Sequence, residues 1–171
     1  MIPILGFVAY SGTGKTTLLL KIIPLLKDKG LRIGMIKHTN HQKFDIDYPG
    51  KDSYRLRQAG AEQMLVASRK RWALMVELGD EFEEPDLGQL LSHLDQKKLD
   101  LILVEGFKHE RFPKIEVHRP SLGHTPFFPE DDSIIAVACD VPDEIETQLP
   151  VLDMNHPKQI VAFIEERLFK L

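Results

Sequence analysis

Short apolar runs alternate along the chain with stretches of helical period. Residues 3–9 (PILGFVA), 99–106 (LDLILVEG) and 133–140 (SIIAVACD) are nearly continuous apolar runs, the pattern of strands buried on both faces, and 31–37 (LRIGMIK) reads as a further strand. PKIEVHR (113–119) reads as a further strand and PVLD (150–153) as a short one. Between them, residues 15–29 (KTTLLLKIIPLLKDK) read as a helix closed by Gly30, with Pro24 in conflict because it removes a backbone donor. SYRLRQAGA (53–61) predicts a short helix ending near Gly60, and LGQLLSHL (87–94) another. HPKQIVAFIEERLF (156–169) predicts a closing amphipathic helix with Ile160, Val161, Phe163, Ile164 and Leu168 on its apolar face. EQMLVAS (62–68) and RWALMVEL (71–78) predict two strands joined by a tight turn. Strands alternating with helices imply a mostly parallel sheet covered by helices on both faces. The 62–78 pair is expected to add antiparallel strands at one end of that sheet.

Three segments lack such periodicity. Residues 38–52 (HTNHQKFDIDYPGKD) form a long polar connection, and long ordered loops are often functional. Residues 80–86 (DEFEEPD) are an acidic exposed link. Residues 120–132 hold three prolines, Phe127–Phe128 and the acids Glu130, Asp131 and Asp132, and read as a loop. No repeat or linker divides the 171 residues, so the expectation is one domain over 1–171.

The clearest chemistry lies at residues 9–17, Ala-Tyr-Ser-Gly-Thr-Gly-Lys-Thr-Thr. Its spacing follows the phosphate-loop pattern G-x-x-x-x-G-K-[ST], with Ala9 in place of the first glycine. Gly12 and Gly14 let successive backbone N–H groups turn toward one anion, and the helix that follows adds its free first-turn amides. Ser11, Gly12, Thr13, Gly14, Lys15, Thr16 and Thr17 are thus the candidate nucleotide-binding residues. Lys15 is expected on the β- and γ-phosphates and Thr16 on Mg²⁺, a hard cation that prefers oxygen. The fold class that follows is α/β, a P-loop NTPase-like three-layer sandwich with an added antiparallel strand pair.

A second metal ligand is expected where strand 99–106 ends. Ligands of open parallel sheets lie beyond the carboxyl ends of the strands. Glu105 stands at that end before Gly106, whereas Asp100 stands at the other, so Glu105 is the candidate. In the 38–53 connection, Asp47 and Asp52 could position the attacking water or reach Mg²⁺ through water. Equally, Asp52 with Ser53 could cap the following helix. His38 and His41 beside Asp45 and Asp47 match no zinc spacing and read as a solvated loop. Asp140 could accept hydrogen bonds from N1–H and the 2-amino group of guanine, or merely begin the turn that follows it.

Composition narrows the classes. Lys plus Arg is 22 and Asp plus Glu 26, a net charge of −4, unlike the basic face of a nucleic-acid binder. The single Cys139 excludes an internal disulfide framework. No apolar run approaches the ~18 residues of a membrane helix. The N-terminus lacks the basic segment of a signal peptide. The expected location is the cytoplasm.

AYSGTGKTTLL, MIKHTNHQKFDIDYPGKDSYRLRQAGA, RWALM, LDLILVEGFKHE and IIAVACDVP together resemble the MobB family of molybdopterin-guanine dinucleotide biosynthesis adapters over almost the full chain. The resemblance implies GTP and Mg²⁺ as cofactors, a homodimer, and hydrolysis to GDP and phosphate that is weak at most. It also implies partnership with a MobA-type guanylyltransferase, which attaches GMP to molybdopterin, and points to molybdopterin and molybdoenzymes as further partners. Slow turnover suits a sequence with no evident arginine finger. Two other classes stand beside it. One is a P-loop small-molecule kinase using ATP, with Lys37, Lys51, Arg55 and Arg57 holding the acceptor. The other is an interaction module docking through Phe127–Phe128.

Overall fold

The computed structural model describes residues 2–39, 44–78 and 84–169. His41, and residues 80–83 of the acidic link, lie outside the described residues. In chain order the elements are β1 (Ile4–Val8), α1 (Lys15–Asp28), β2 (Ile33–Lys37), α2 (Asp52–Gln58), β3 (Gln63–Ala67), β4 (Trp72–Val76), α3 (Leu87–Ser92), β5 (Leu101–Glu105), β6 (Lys114–His118), β7 (Ile134–Cys139), β8 (Val151–Asp153) and α4 (Pro157–Phe169). They group into two compact units. One holds the segments up to His38 and from Leu87 onward, the other Thr39–Asp86.

The first unit is a six-stranded sheet in the order β2-β5-β1-β6-β7-β8, every pairing parallel. Along β5 the side chains alternate. Leu101 and Leu103 enter one core with Leu18, Leu19, Ile22 and Leu26 of α1 and Ile160, Val161 and Ile164 of α4. Ile102 and Val104 enter a second core with Ile36, Phe107 and Leu87 of α3. Core on both faces of β5 explains its unbroken apolar run from Leu101 to Val104.

The proline conflict in α1 resolves without a break. The helix runs through Pro24, which sits with Leu20 on its exposed face, where water can take the carbonyl that proline leaves unpaired. It ends one residue earlier than expected. Gly30 at φ +86° then donates to the Lys27 carbonyl, and Leu31 to that of Leu26, a C-terminal lock that favours glycine.

The second unit packs α2 beside the β3–β4 hairpin, whose register runs from Gln63↔Val76 to Ala67↔Trp72. The hairpin is a separate two-stranded sheet and does not extend the larger one as expected. Its turn is closed by Ser68, whose N–H donates to the Arg71 carbonyl at 2.8 Å. Arg57 is the polar centre of this unit. Its guanidinium donates to both oxygens of Asp45 (3.0 and 3.1 Å) and to Glu77, and faces Asp47 at 3.5 Å. The helix cap is not the expected one. Lys51 stands at the N-cap with no side-chain hydrogen bond, because Ser53 lies inside the first turn and donates to Asp47 Oδ1 at 3.1 Å instead.

Candidate nucleotide site

The order of the sheet brings the candidate residues of the first unit together. Because every strand is parallel, all carboxyl ends share one edge. β1 delivers the phosphate loop there, β2 Lys37, β5 Glu105, β6 Arg119 and β7 Asp140.

The loop has the backbone that its glycines predict. Gly12 and Gly14 take φ +80° and +97°, values that side-chain-bearing residues adopt at a cost. Thr13, almost fully buried, folds back so that its hydroxyl donates to the Tyr10 carbonyl at 2.7 Å. The first helical bond, Leu18 N–H to Gly14 O, is 2.9 Å. The amides of Lys15, Thr16 and Thr17 therefore open the helix with no acceptor inside it, the arrangement that suits an anion.

Three side chains converge on one oxygen, Glu105 Oε1. Lys37 Nζ lies 2.5 Å away, the Thr16 hydroxyl 3.5 Å and Lys15 Nζ 3.7 Å. Glu105 is 5% exposed, and a carboxylate so placed must be paired. Burial lowers the Lys15 pKa, and repulsion from Lys37 adds to this, against the attraction of Glu105. A hydroxyl and a carboxylate on adjoining elements are hard oxygen donors that fit Mg²⁺, which takes few protein ligands and completes its shell with phosphate and water. Among the described residues no three His, Cys, Asp or Glu side chains form a metal cluster.

After Glu105 the backbone makes an uncommon turn. Gly106 has φ +97° and Phe107 +52°. Phe107 is held in that costly conformation by burial in the second core and by the His38 ring at 5.0 Å. The His38 N–H donates to the Glu105 carbonyl at 2.8 Å, tying the end of β2 to that of β5.

The 119–132 segment braces the loop from the other side, a role sequence reasoning missed. Arg119 Nε donates to the Thr13 carbonyl and Nη1 to Asp140 Oδ2, each at 2.8 Å. Tyr10 stacks between His124 at 4.3 Å and Phe127 at 4.5 Å. The buried Glu116 carboxylate accepts the N–H groups of Phe127 and Phe128 at 2.8 to 3.0 Å. Burial pushes its pKa up, those two amides oppose the shift, and Asp131 adds to it. Phe127 thus packs onto the phosphate loop while staying half-exposed. The signal was present in the alternation of β6, where Glu116 and His118 punctuate an apolar strand, but nothing local names their partners.

Asp140 is positioned by Arg119, and Asn155 Nδ2 donates to its carbonyl at 3.2 Å. Ser11 is exposed at the crown of the loop. Asp47 and Asp52 belong to the other unit, where Asp47 meets Arg57 and Ser53, and Asp52 pairs with Arg55 at 3.6 Å on the surface. Asp100 stands at the amino end of β5, bound to the Arg32 guanidinium and N–H, away from the site as its position implied.

Residues 4–140 match the molybdopterin guanine dinucleotide synthesis protein B (MobB) family. The chain belongs to that family. It is 54% identical over 171 residues to the molybdopterin-guanine dinucleotide biosynthesis adapter protein of Escherichia coli K12, covering 99% of this chain and 95% of that protein. The adapter protein of the same name from Haemophilus influenzae is 44% identical over 168 residues, with 98% and 90% covered. Among solved structures, Bacillus subtilis MobB superposes with a TM-score of 0.77 at 26% identity, covering 98% of each chain. The MobB homologue of Bacillus stearothermophilus, with a TM-score of 0.69 at 24% identity over 98% and 99% of the two chains, shares the fold. Among the described residues no helix of this MobB-family chain is long and apolar enough to cross a membrane.

Proposed function

We propose that the chain is a GTP- and Mg²⁺-binding adapter in molybdopterin-guanine dinucleotide biosynthesis, acting beside the guanylyltransferase that attaches GMP to molybdopterin. The observation that carries the nucleotide reading is the meeting of Lys15 and Thr16 with the buried Glu105 at the mouth of a phosphate loop. The adapter role rests on membership of the family and on the names of its relatives.

In this reading the amides of Gly12 to Thr17 wrap the phosphates, Lys15 neutralises the β- and γ-phosphates, and Thr16 with Glu105 holds Mg²⁺. The ion supplies charge neutralisation at the phosphates. In hydrolysis a water oxygen bonds to the γ-phosphorus while the bond to the β–γ bridging oxygen breaks, leaving GDP and phosphate. The groups at the sheet edge serve binding, so turnover is slow without a further cation from outside the site. Asp140, held by Arg119, is the candidate reader of the guanine edge. The activity belongs in the cytoplasm, where nucleoside triphosphates are available.

A second copy of the chain is the expected partner of the hairpin. Although α2 packs beside it, the β3–β4 hairpin leaves Leu65, Val66, Trp72, Leu74 and Val76 exposed, apolar surface that a second copy would cover.

The deciding experiment is a titration with fluorescent GTP and ATP analogues, with and without Mg²⁺, beside Lys15→Ala. Preference for GTP by about tenfold, or 1.4 kcal/mol, with binding lost in the variant, supports the adapter reading. Preference for ATP favours a kinase.

A further inference from the structure

Glu105 is flanked by two ammonium groups, and the phosphate-loop pattern accounts for only one of them. Lys37 ends β2, and the parallel register sets it directly beside Glu105. The sheet order places β5 between β2 and β1, so Lys37 approaches Glu105 from the side opposite the phosphate loop. Its Nζ is closer to Oε1 than Lys15 Nζ is, 2.5 against 3.7 Å, yet its side chain is 55% exposed where that of Lys15 is 17%. Lys15 is enclosed by its surroundings, whereas Lys37 reaches Glu105 from a half-exposed, flexible four-carbon stem.

We propose that Lys37 is a second phosphate ligand that reads the terminal phosphate, making the site selective for a nucleoside triphosphate over a diphosphate. The inference rests on the nucleotide reading above. A divalent cation held by Glu105 and Thr16 would compete with the Lys37 ammonium for the carboxylate charge, and the half-exposed stem of Lys37 would let that ammonium turn to another anion. Lys37 then stands at the same sheet edge, across Glu105 from Lys15. The anion that meets it there is the phosphate farthest along the chain from the phosphate-loop amides, the γ-phosphate. With GDP that partner is absent. Lys37 therefore signals which nucleotide is bound, and its neighbour His38 begins the 38–52 connection.

The test compares GTP and GDP affinities, each with Mg²⁺, for the unmodified chain, Lys37→Met, Lys37→Arg and Lys15→Ala. Lys37→Met is expected to weaken GTP about tenfold, the loss of one charged contact worth 1.4 kcal/mol, with GDP affinity unchanged. Lys37→Arg should recover part of the GTP preference. Equal change of both nucleotides in Lys37→Met, or change of neither, overturns the proposal and leaves Lys37 as the counter-ion of Glu105. If Lys15→Ala weakens neither nucleotide, the phosphate-loop reading itself fails. Should Lys37→Met not fold, the unmodified chain decides, grown with 13C-labelled lysine and with the Lys37 signal assigned by its loss in Lys37→Arg. That signal must differ between the Mg²⁺ complexes of GDP and of a non-hydrolysable GTP analogue, and coincident signals overturn the proposal.

Discussion

Replacing Gly106 by alanine probes how the Glu105 corner is built. Two costs arise there and they are separable. The first is conformational, since φ is +97° and an L side chain in the left-handed region costs roughly 1–2 kcal/mol. The second is steric. A Cβ at Gly106 would lie 2.8 Å from His38 Cβ and 3.6 Å from its Cα and N. These atoms belong to or adjoin the backbone, so relief requires moving the end of β2, and overpacking of this kind costs about 1–3 kcal/mol. The expected loss is about 2–5 kcal/mol, a fall in Tm of roughly 5–15 °C for a chain of this size. Gly12→Ala is the internal control. Its φ is +80° with nothing within 4 Å of the added Cβ, so it should incur the conformational cost alone, about 1–2 kcal/mol. Thermal melts followed by circular dichroism, with urea titrations for the free energies, measure both. Equal losses in the two variants would refute the claim that the close approach of His38 demands glycine at this corner.

Four further outcomes follow from the same structure. Arg119→Ala removes a charged hydrogen bond to the Thr13 carbonyl and should weaken nucleotide binding about tenfold or more, a charge-assisted bond being worth roughly 1.5–3 kcal/mol; unchanged affinity would show that the loop holds its shape unaided. Arg32 holds the Asp100 pKa down at about 2 by hydrogen bonds to its guanidinium and N–H. A carboxylate depressed in the folded state stabilises above its unfolded pKa and loses that contribution as pH falls toward about 2, so acid titrations of unfolding should show a decline over about pH 4 to 2 that is shallower in Asp100→Asn. If the hairpin joins two copies, changing Trp72, 65% exposed there, to Asp should shift dimer to monomer in sedimentation velocity, and an unaltered sedimentation coefficient would rule out a hairpin interface. If Asp47 and Asp52 order the attacking water, Asp47→Asn and Asp52→Asn should slow GTP hydrolysis with GTP affinity intact, whereas unchanged rates would confine both acids to the architecture of residues 39–86.

Local chemistry determined what could be read without coordinates. The phosphate loop is legible because anion binding needs glycine conformations, a lysine and a hydroxyl within nine consecutive residues. Strands β1, β5 and β7 are legible because burial on both faces favours apolar side chains, and Glu105 is legible because it stands at the carboxyl end of such a strand, where ligands of parallel sheets bind. Tertiary structure decided everything that depends on which strands are neighbours. The order β2-β5-β1 places Lys37 on Glu105, 68 residues away in sequence, and β1-β6-β7 places Arg119 between Thr13 and Asp140. The hairpin is legible as two short strand runs about a tight turn, but not that it stands as a sheet of its own. Strand order is a global outcome of packing one core on each face of the sheet, and no short stretch of sequence carries it.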